Sequence, residues 1–342
     1  MRFPAMTKMA LASSNISRRG LRSSAIARVP LLISPKEYQD LPKRTTLPLD
    51  VSWHMPNSNR SAVAEFLSGP RLPGAKRFDL DEVAELDIDK NPLSLTHMLP
   101  KPERFAEECR KLGIRNDEHV ILYDTIGIFS SPRALYTFKA FGHENVSVLD
   151  GGLTRWIEEG YETENGDVKP TLRESQYKVP ESWKKDWVRS YEQIVSNSEL
   201  STADPVSEVV LDHRPLPRFT GEAPEPRPGL SSGHIPNSLP LPFPNYLNAA
   251  NDKIPYSSYK SIDELKKVFA AAVGGEEELT KLIVNQKGVV LSCGSGMTAA
   301  IGWLANELIK QNEGKGLRTS LYDESWTGYA LRKESKIVKG KA

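Results

Sequence analysis

The stretch Val289-Val290-Leu291-Ser292-Cys293-Gly294-Ser295-Gly296-Met297-Thr298-Ala299-Ala300 decides how the 342-residue chain is read. An apolar run ends in a cysteine, a glycine-broken loop follows, and Ile301, Leu304, Leu308 and Ile309 then recur at helical spacing. That order predicts a buried strand feeding a tight loop at the start of a helix. Gly294 and Gly296 reach backbone angles closed to other residues, so the loop can curl until its N–H groups converge on Cys293. Converging amides and a helix N-terminus suit an anionic sulfur, which makes Cys293 a candidate nucleophile. Taken alone, the same residues fit an inert core thiol equally well. Zinc is a poor fit: Cys109 is the only other cysteine, and no cysteine and histidine pair has ligand spacing.

Working outward, the landmarks before Cys293 occur twice. Leu49-Asp50 is matched by Leu211-Asp212, Leu72-Pro73-Gly74 by Ile235-Pro236-Asn237, Val120 to Asp124 by Val289 to Cys293, and Val146 to Asp150 by Thr319 to Asp323. Partners lie about half a chain apart, the mark of an internal duplication into two similar domains. Strands at Leu31 onward, Leu47–Trp53, Val120–Tyr123 and Val146–Leu149 alternate with helices at Ala62–Leu67, Pro102–Leu112 and Ser131–Phe141. Ser34, with Pro35 and Glu37 after it, is the start signal of one more helix. The alternation predicts an α/β fold, each half a mainly parallel sheet flanked by helices. Reactive groups in such sheets sit at the carboxyl ends of strands, where Cys293 falls and where the first half carries Asp124 instead. Cys109 lies on the apolar face of the Pro102–Leu112 helix with Phe105 and is expected in the core.

Basic and acidic residues nearly cancel, 45 against 44, so bulk charge does not point to direct nucleic-acid binding. No apolar run approaches the roughly 18 residues that span a bilayer, and a soluble chain without a membrane segment is expected. Two cysteines make no disulfide framework, which suits a reducing compartment. Residues 1–36 carry Arg2, Lys8, Arg18, Arg19, Arg22, Arg28 and Lys36, many serines and alanines, and no acid before Glu37. This is the composition of a mitochondrial transit segment, placed at 1–28 and implying a matrix protein, with the cytoplasm a second location. The expected organisation is then an N-terminal domain at 29–165, a polar linker at 166–188, and a C-terminal domain at 189–342.

The loop Cys293-Gly294-Ser295-Gly296-Met297-Thr298-Ala299 resembles the active-site loop of the rhodanese-type sulfurtransferases, and within them the 3-mercaptopyruvate sulfurtransferases, with Met297 in place of a valine. The segments Arg218-Phe219-Thr220-Gly221, Pro224-Glu225-Pro226-Arg227 and Gly233-His234-Ile235-Pro236 are similar to that family's substrate loop. Phe78-Asp79-Leu80-Asp81 and His97-Met98-Leu99-Pro100 resemble its other two site segments. The resemblance implies two tandem rhodanese-like domains, the first inactive, with a cleft between them. It implies that Arg218 and Arg227 anchor the donor's carboxylate, a task that suits guanidinium forks. It further implies that Asp81, His97 and Ser295 form a proton relay and that Gly294, Gly296, Met297 and Thr298 line the donor site. A Cys293 persulfide would pass its outer sulfur to thioredoxin or another thiol acceptor, without metal or cofactor, in a monomer. Neutral Gly294 and Ser295 favour mercaptopyruvate over thiosulfate, whose preferred enzymes carry basic residues there. A thiosulfate sulfurtransferase and a sulfur carrier for tRNA thiolation remain the alternatives.

Overall fold

Each half of the chain gathers its strands into a five-stranded sheet in which every neighbouring pair is parallel. The computed structural model describes residues 29–168, 174–181 and 183–341, so the expected transit segment lies outside the described residues. The N-terminal lobe runs β1 (Leu32–Ile33), α1 (Pro35–Asp40), β2 (Thr46–Asp50), α2 (Ala62–Ser68), β3 (Lys76–Arg77), α3 (Leu80–Val83), α4 (Pro102–Lys111), β4 (His119–Tyr123), α5 (Ser131–Ala140), β5 (Val146–Leu149) and α6 (Gly152–Glu158). The C-terminal lobe repeats the plan with β6 (Val188–Arg189), α7 (Tyr191–Glu199), β7 (Val209–Asp212), α8 (Leu216–Thr220) and β8 (Ser238–Pro240). A two-stranded hairpin follows, β9 (Leu247–Asn248) and β10 (Ser258–Tyr259), then α9 (Ile262–Val273) and α10 (Glu276–Val284). The chain closes with β11 (Gly288–Ser292), α11 (Ala299–Glu313), β12 (Arg318–Tyr322) and α12 (Ser325–Leu331).

The strand orders, β1-β5-β4-β2-β3 and β6-β12-β11-β7-β8, are the same permutation written twice. The two central strands, β4 and β11, end at Tyr123 and Ser292, so Asp124 and Cys293 occupy matching strand ends. Local chemistry sets the element ends. Ser34 accepts the Glu37 N–H while the Glu37 carboxylate takes the Ser34 N–H at 2.7 Å, a reciprocal cap that starts α1. The strand expected through Trp53 stops at Asp50, whose carboxylate accepts the Ser52 N–H at 2.9 Å and turns the chain. Cys109 is fully buried in α4, and burial pushes its thiol well up, as suits a core cysteine.

The halves meet through their duplicated helices. Tyr136 on α5 sets its ring edge against Trp303 on α11, with centroids 5.0 Å apart, and Trp187 packs on Trp303 at 5.3 Å. A single apolar cluster includes Val120, Leu122 and Phe138 of the first lobe and Val289, Leu291 and Trp303 of the second. Asp150 and Asp323, at matching ends of β5 and β12, each reach the other lobe: Asp150 accepts the Tyr259 N–H at 3.0 Å, and Asp323 pairs with Arg133 at 2.7 Å. Burial pushes the Asp150 carboxyl up to about 6, against the Tyr259 bond and Arg155.

His213, just after β7, is fully buried, and burial brings its ring down to about 4. Its Nδ1 lies 3.0 Å from the Ser292 carbonyl and its Nε2 3.0 Å from the Tyr246 hydroxyl. As pH falls through 6.5 the unfolded chain takes up a proton that this ring refuses, so stability is lost on the acid side. His213 alone contributes a loss of about 2 kcal/mol between pH 7 and pH 5, which Asp150, raised to about 6, opposes and His119, also brought down to about 4, reinforces. Urea unfolding of wild type and of His213→Gln at both pH values isolates it: the acid-side loss should be smaller by about 2 kcal/mol in the variant, and an equal loss in both would contradict a neutral His213.

Candidate functional site

Cys293 is 1% exposed, held beneath a loop fastened from the far side by one hydroxyl. Ser325 Oγ accepts N–H bonds from Cys293 and from Gly296, both at 3.1 Å, and donates to the Tyr322 carbonyl at 2.8 Å. That exhausts its one proton and two lone pairs. Its oxygen is 4.0 Å from Cys293 Sγ, with the proton already committed to Tyr322. Thr327 completes the fastening, its N–H and hydroxyl both donating to the Gly294 carbonyl. The amides of Gly294, Ser295, Met297 and Thr298 have no acceptor among the described residues and are free to meet an anion.

Of the two loop glycines, Gly296 alone is left-handed, at φ +78, with Asp323 O and Arg133 Nη1 where a side chain would begin. Gly294 does not have the unusual backbone angle expected of it. A Cβ there would lie 3.6 Å from Arg227 Nη1, an ordinary contact that places this guanidinium beside the loop. Arg227 Nη2 is buried with no hydrogen-bond partner among the described residues. A buried guanidinium nitrogen with no partner beside the loop is suited to an anion.

Arg218, on α8, is less enclosed and belongs to a chain of charges. Asp212 grips Arg214 at 2.6 Å, Arg214 reaches Glu225 at 2.8 Å, and Glu225 stands 3.7 Å from Arg218. Asp212, Arg214 and Glu225 are almost fully buried, and the alternating signs neutralise one another. Arg214 also lies over the Trp326 ring at 4.1 Å. Nothing in the sequence marks the roles of Arg214 and Trp326, and Glu225, within Pro224-Glu225-Pro226-Arg227, carries no sign there of its tie to both arginines.

The N-terminal lobe brings Asp81 and His97 together, with Asp81 Oδ1 2.7 Å from His97 Nδ1. Asp79, rather than Asp81, caps α3, which leaves Asp81 for this contact. Trp53 donates its indole N–H to Asp81 Oδ2 at 2.9 Å and sets its ring edge-on to His97. Burial draws the His97 ring down and keeps it neutral, with Asp81 opposing. Burial pushes Asp81 up, but the contact with His97 and the Trp53 bond outweigh it and hold the carboxylate low. His97 Nε2 has no partner among the described residues, and no hydrogen bond there joins His97 to Ser295. Ser295 and Met297 are buried in the loop, and partly buried Thr298 stands at the N-cap of α11.

Over 300 residues the chain is 39% identical to the probable 3-mercaptopyruvate sulfurtransferase of Schizosaccharomyces pombe, covering 87% of this chain and 90% of that protein. The chain belongs to the 3-mercaptopyruvate sulfurtransferase family. The rhodanese-like domain model matches residues 34–159, the half without the nucleophile. A second family relative, the mitochondrial thiosulfate/3-mercaptopyruvate sulfurtransferase 1 of Arabidopsis thaliana, is 34% identical, with 84% of this chain and 73% of that protein covered. The crystal structure of the Tum1 protein from Saccharomyces cerevisiae superposes with a TM-score of 0.76 at 27% identity, over 92% of this chain and 99% of that one. The family's tandem architecture is the one described above.

Removing the Ser325 hydroxyl leaves two buried N–H groups and one carbonyl unanswered. Ser325→Ala should lower unfolding stability by roughly 1–3 kcal/mol and slow turnover at least about tenfold, since each lost bond loosens the loop. Urea unfolding and initial-rate kinetics on the same preparation check this, and an unchanged turnover would remove Ser325 from the site's support.

Proposed function

We propose that this chain moves sulfur from 3-mercaptopyruvate to a thiol acceptor through a persulfide on Cys293. The observation that carries the reading is Arg227 Nη2, buried and unpaired beside Gly294. A carboxylate is the group that would satisfy it, and Arg218, steadied by Glu225, would supply the second fork. The relatives named for this substrate support the choice.

In the reaction, Cys293 sulfur attacks the sulfur of the donor. The carbon–sulfur bond breaks, its electron pair passes into the enolate of pyruvate, and a proton delivered to the enolate carbon completes pyruvate. The four free loop amides hold the Cys293 persulfide anion, and a neutral His97 with Asp81 behind it can carry the proton, the Ser295 hydroxyl coupling it to the donor. The thiolate of an acceptor, thioredoxin under this reading, then attacks the outer sulfur and releases Cys293. The lobe at 29–165 acts as the silent half, joined through 166–188 to the catalytic lobe at 189–342. The basic, acid-free segment 1–28 and the mitochondrial Arabidopsis relative support import into mitochondria. Thiosulfate is the second donor to test, because that same relative is named for both.

Cys293→Ser should lower turnover of mercaptopyruvate and of thiosulfate by roughly a thousandfold or more. Arg227→Ala should chiefly raise the KM for mercaptopyruvate, by about 10- to 100-fold. Sulfide release in the presence of a reducing thiol measures both, and normal turnover by Cys293→Ser would falsify the persulfide route.

A further inference from the structure

Arg133 belongs to α5 of the lobe that lacks a nucleophile, yet its guanidinium serves the loop of the other lobe. The side chain is 1% exposed; Nη1 donates to the Gly296 carbonyl at 3.3 Å and lies 2.7 Å from Asp323 Oδ1, while Nη2 donates to the His97 carbonyl. Asp323 Oδ2 accepts the Leu99 N–H at 2.8 Å. One buried ion pair therefore grips the Cys293 loop on one side and the backbone of His97 and Leu99 on the other.

Two consequences follow from covalent geometry. A trans peptide points its C=O and N–H in opposite directions, so anchoring the Gly296 carbonyl on Arg133 turns the Met297 N–H away from the ion pair. That N–H is one of the four without an acceptor among the described residues. His97 sits at φ +68, a left-handed angle that few residues other than glycine adopt, though histidine does so more readily than most, and the bond to its carbonyl helps fix it there.

We infer that Arg133 is a positioning residue for sulfur transfer, orienting both the Gly296–Met297 peptide and His97 across the lobe boundary. The inference rests on the sulfurtransferase reading above. A purely structural Arg133 would do no more than neutralise Asp323.

The test compares full-length wild type with Arg133→Lys and with Arg133→Met/Asp323→Asn. The double variant removes both charges together, so no buried charge is stranded, and it keeps an oxygen for the Leu99 N–H. Expected for both variants is a kcat lower by about 100-fold per iodoacetamide-titratable Cys293, with the KM for mercaptopyruvate within about threefold of wild type. Persulfide loaded chemically with polysulfide should also decay faster than in wild type, while the double variant's melting temperature stays near that of wild type. Wild-type kcat per titratable site in the double variant would overturn the inference, as would a raised KM with kcat unchanged, which would make Arg133 a donor anchor. Should wild type itself not turn over mercaptopyruvate, the earlier reading fails, and persulfide decay still decides whether Arg133 positions the loop.

Discussion

Main-chain N–H groups that converge on one point require a negative charge there, and the chain meets that requirement in two ways. In the first lobe Asp124 fills its own loop. Its two carboxylate oxygens accept from the N–H groups of Ile126, Gly127, Phe129, Ser130 and Ser131 and from the Ser131 hydroxyl, all between 2.7 and 3.1 Å. At the matching strand end of the second lobe a thiol stands instead, and Gly294, Ser295, Met297 and Thr298 keep their amides free. The Asp124 loop thus displays, around a carboxylate, the ring of main-chain donors that the Cys293 loop leaves unfilled. Exchanging a short carboxylate for a sulfur that can carry a second sulfur converts a closed structural turn into a reaction site.

The duplication also explains why the two lobes cannot be treated as one active and one idle half. α5 and α11 descend from the same position in the repeat and pack against each other, so each loop faces material from the opposite lobe. Asp150 and Asp323 make matching crossings, one to the hairpin backbone at Tyr259 and one to Arg133. The lobe without a nucleophile supplies Arg133, His97, Asp81 and Trp53; the other supplies Cys293, Arg218 and Arg227. Charge is distributed in the same economical manner within the second lobe, where Asp212, Arg214, Glu225 and Arg218 alternate in sign, so that no buried charge is left alone.

Much of the fold was legible because its signals are local. The apolar run before Cys293, the Ser34 cap with Pro35 and Glu37, and the repeated strand ends at Asp124 and Cys293 all follow from short-range pattern. The doubled landmarks carried the topology, since the same order of strands and helices must close the same sheet twice. Within the site, a sequence can show a cysteine before glycines or two arginines beside prolines. It cannot show that Ser325 Oγ fastens the loop from 32 residues away, or that Arg133 crosses to Gly296 over a separation of 163. Arg133 looks like one polar residue near the start of an apolar helix, and Ser325 like one more serine after an acidic pair. Their roles exist once the sheets have placed distant segments side by side. Gly294 shows the opposite case: it is not left-handed, and a Cβ there would meet Arg227 at an ordinary contact distance, so the structure gives no reason that glycine is required.

The seam between α5 and α11 has a bearing on how short a working version of this molecule can be. Cutting at the polar connection and keeping residues 189–342 would retain Cys293, Arg218 and Arg227, yet it would bare Trp303 to water and strand the Asp323 carboxylate without its cation. Such a fragment would keep the Cys293 loop and lose the Arg133 bond to the Gly296 carbonyl that steadies it. The doubling has become a mutual dependence, in which the lobe carrying Asp124 serves as a mould for the lobe carrying Cys293.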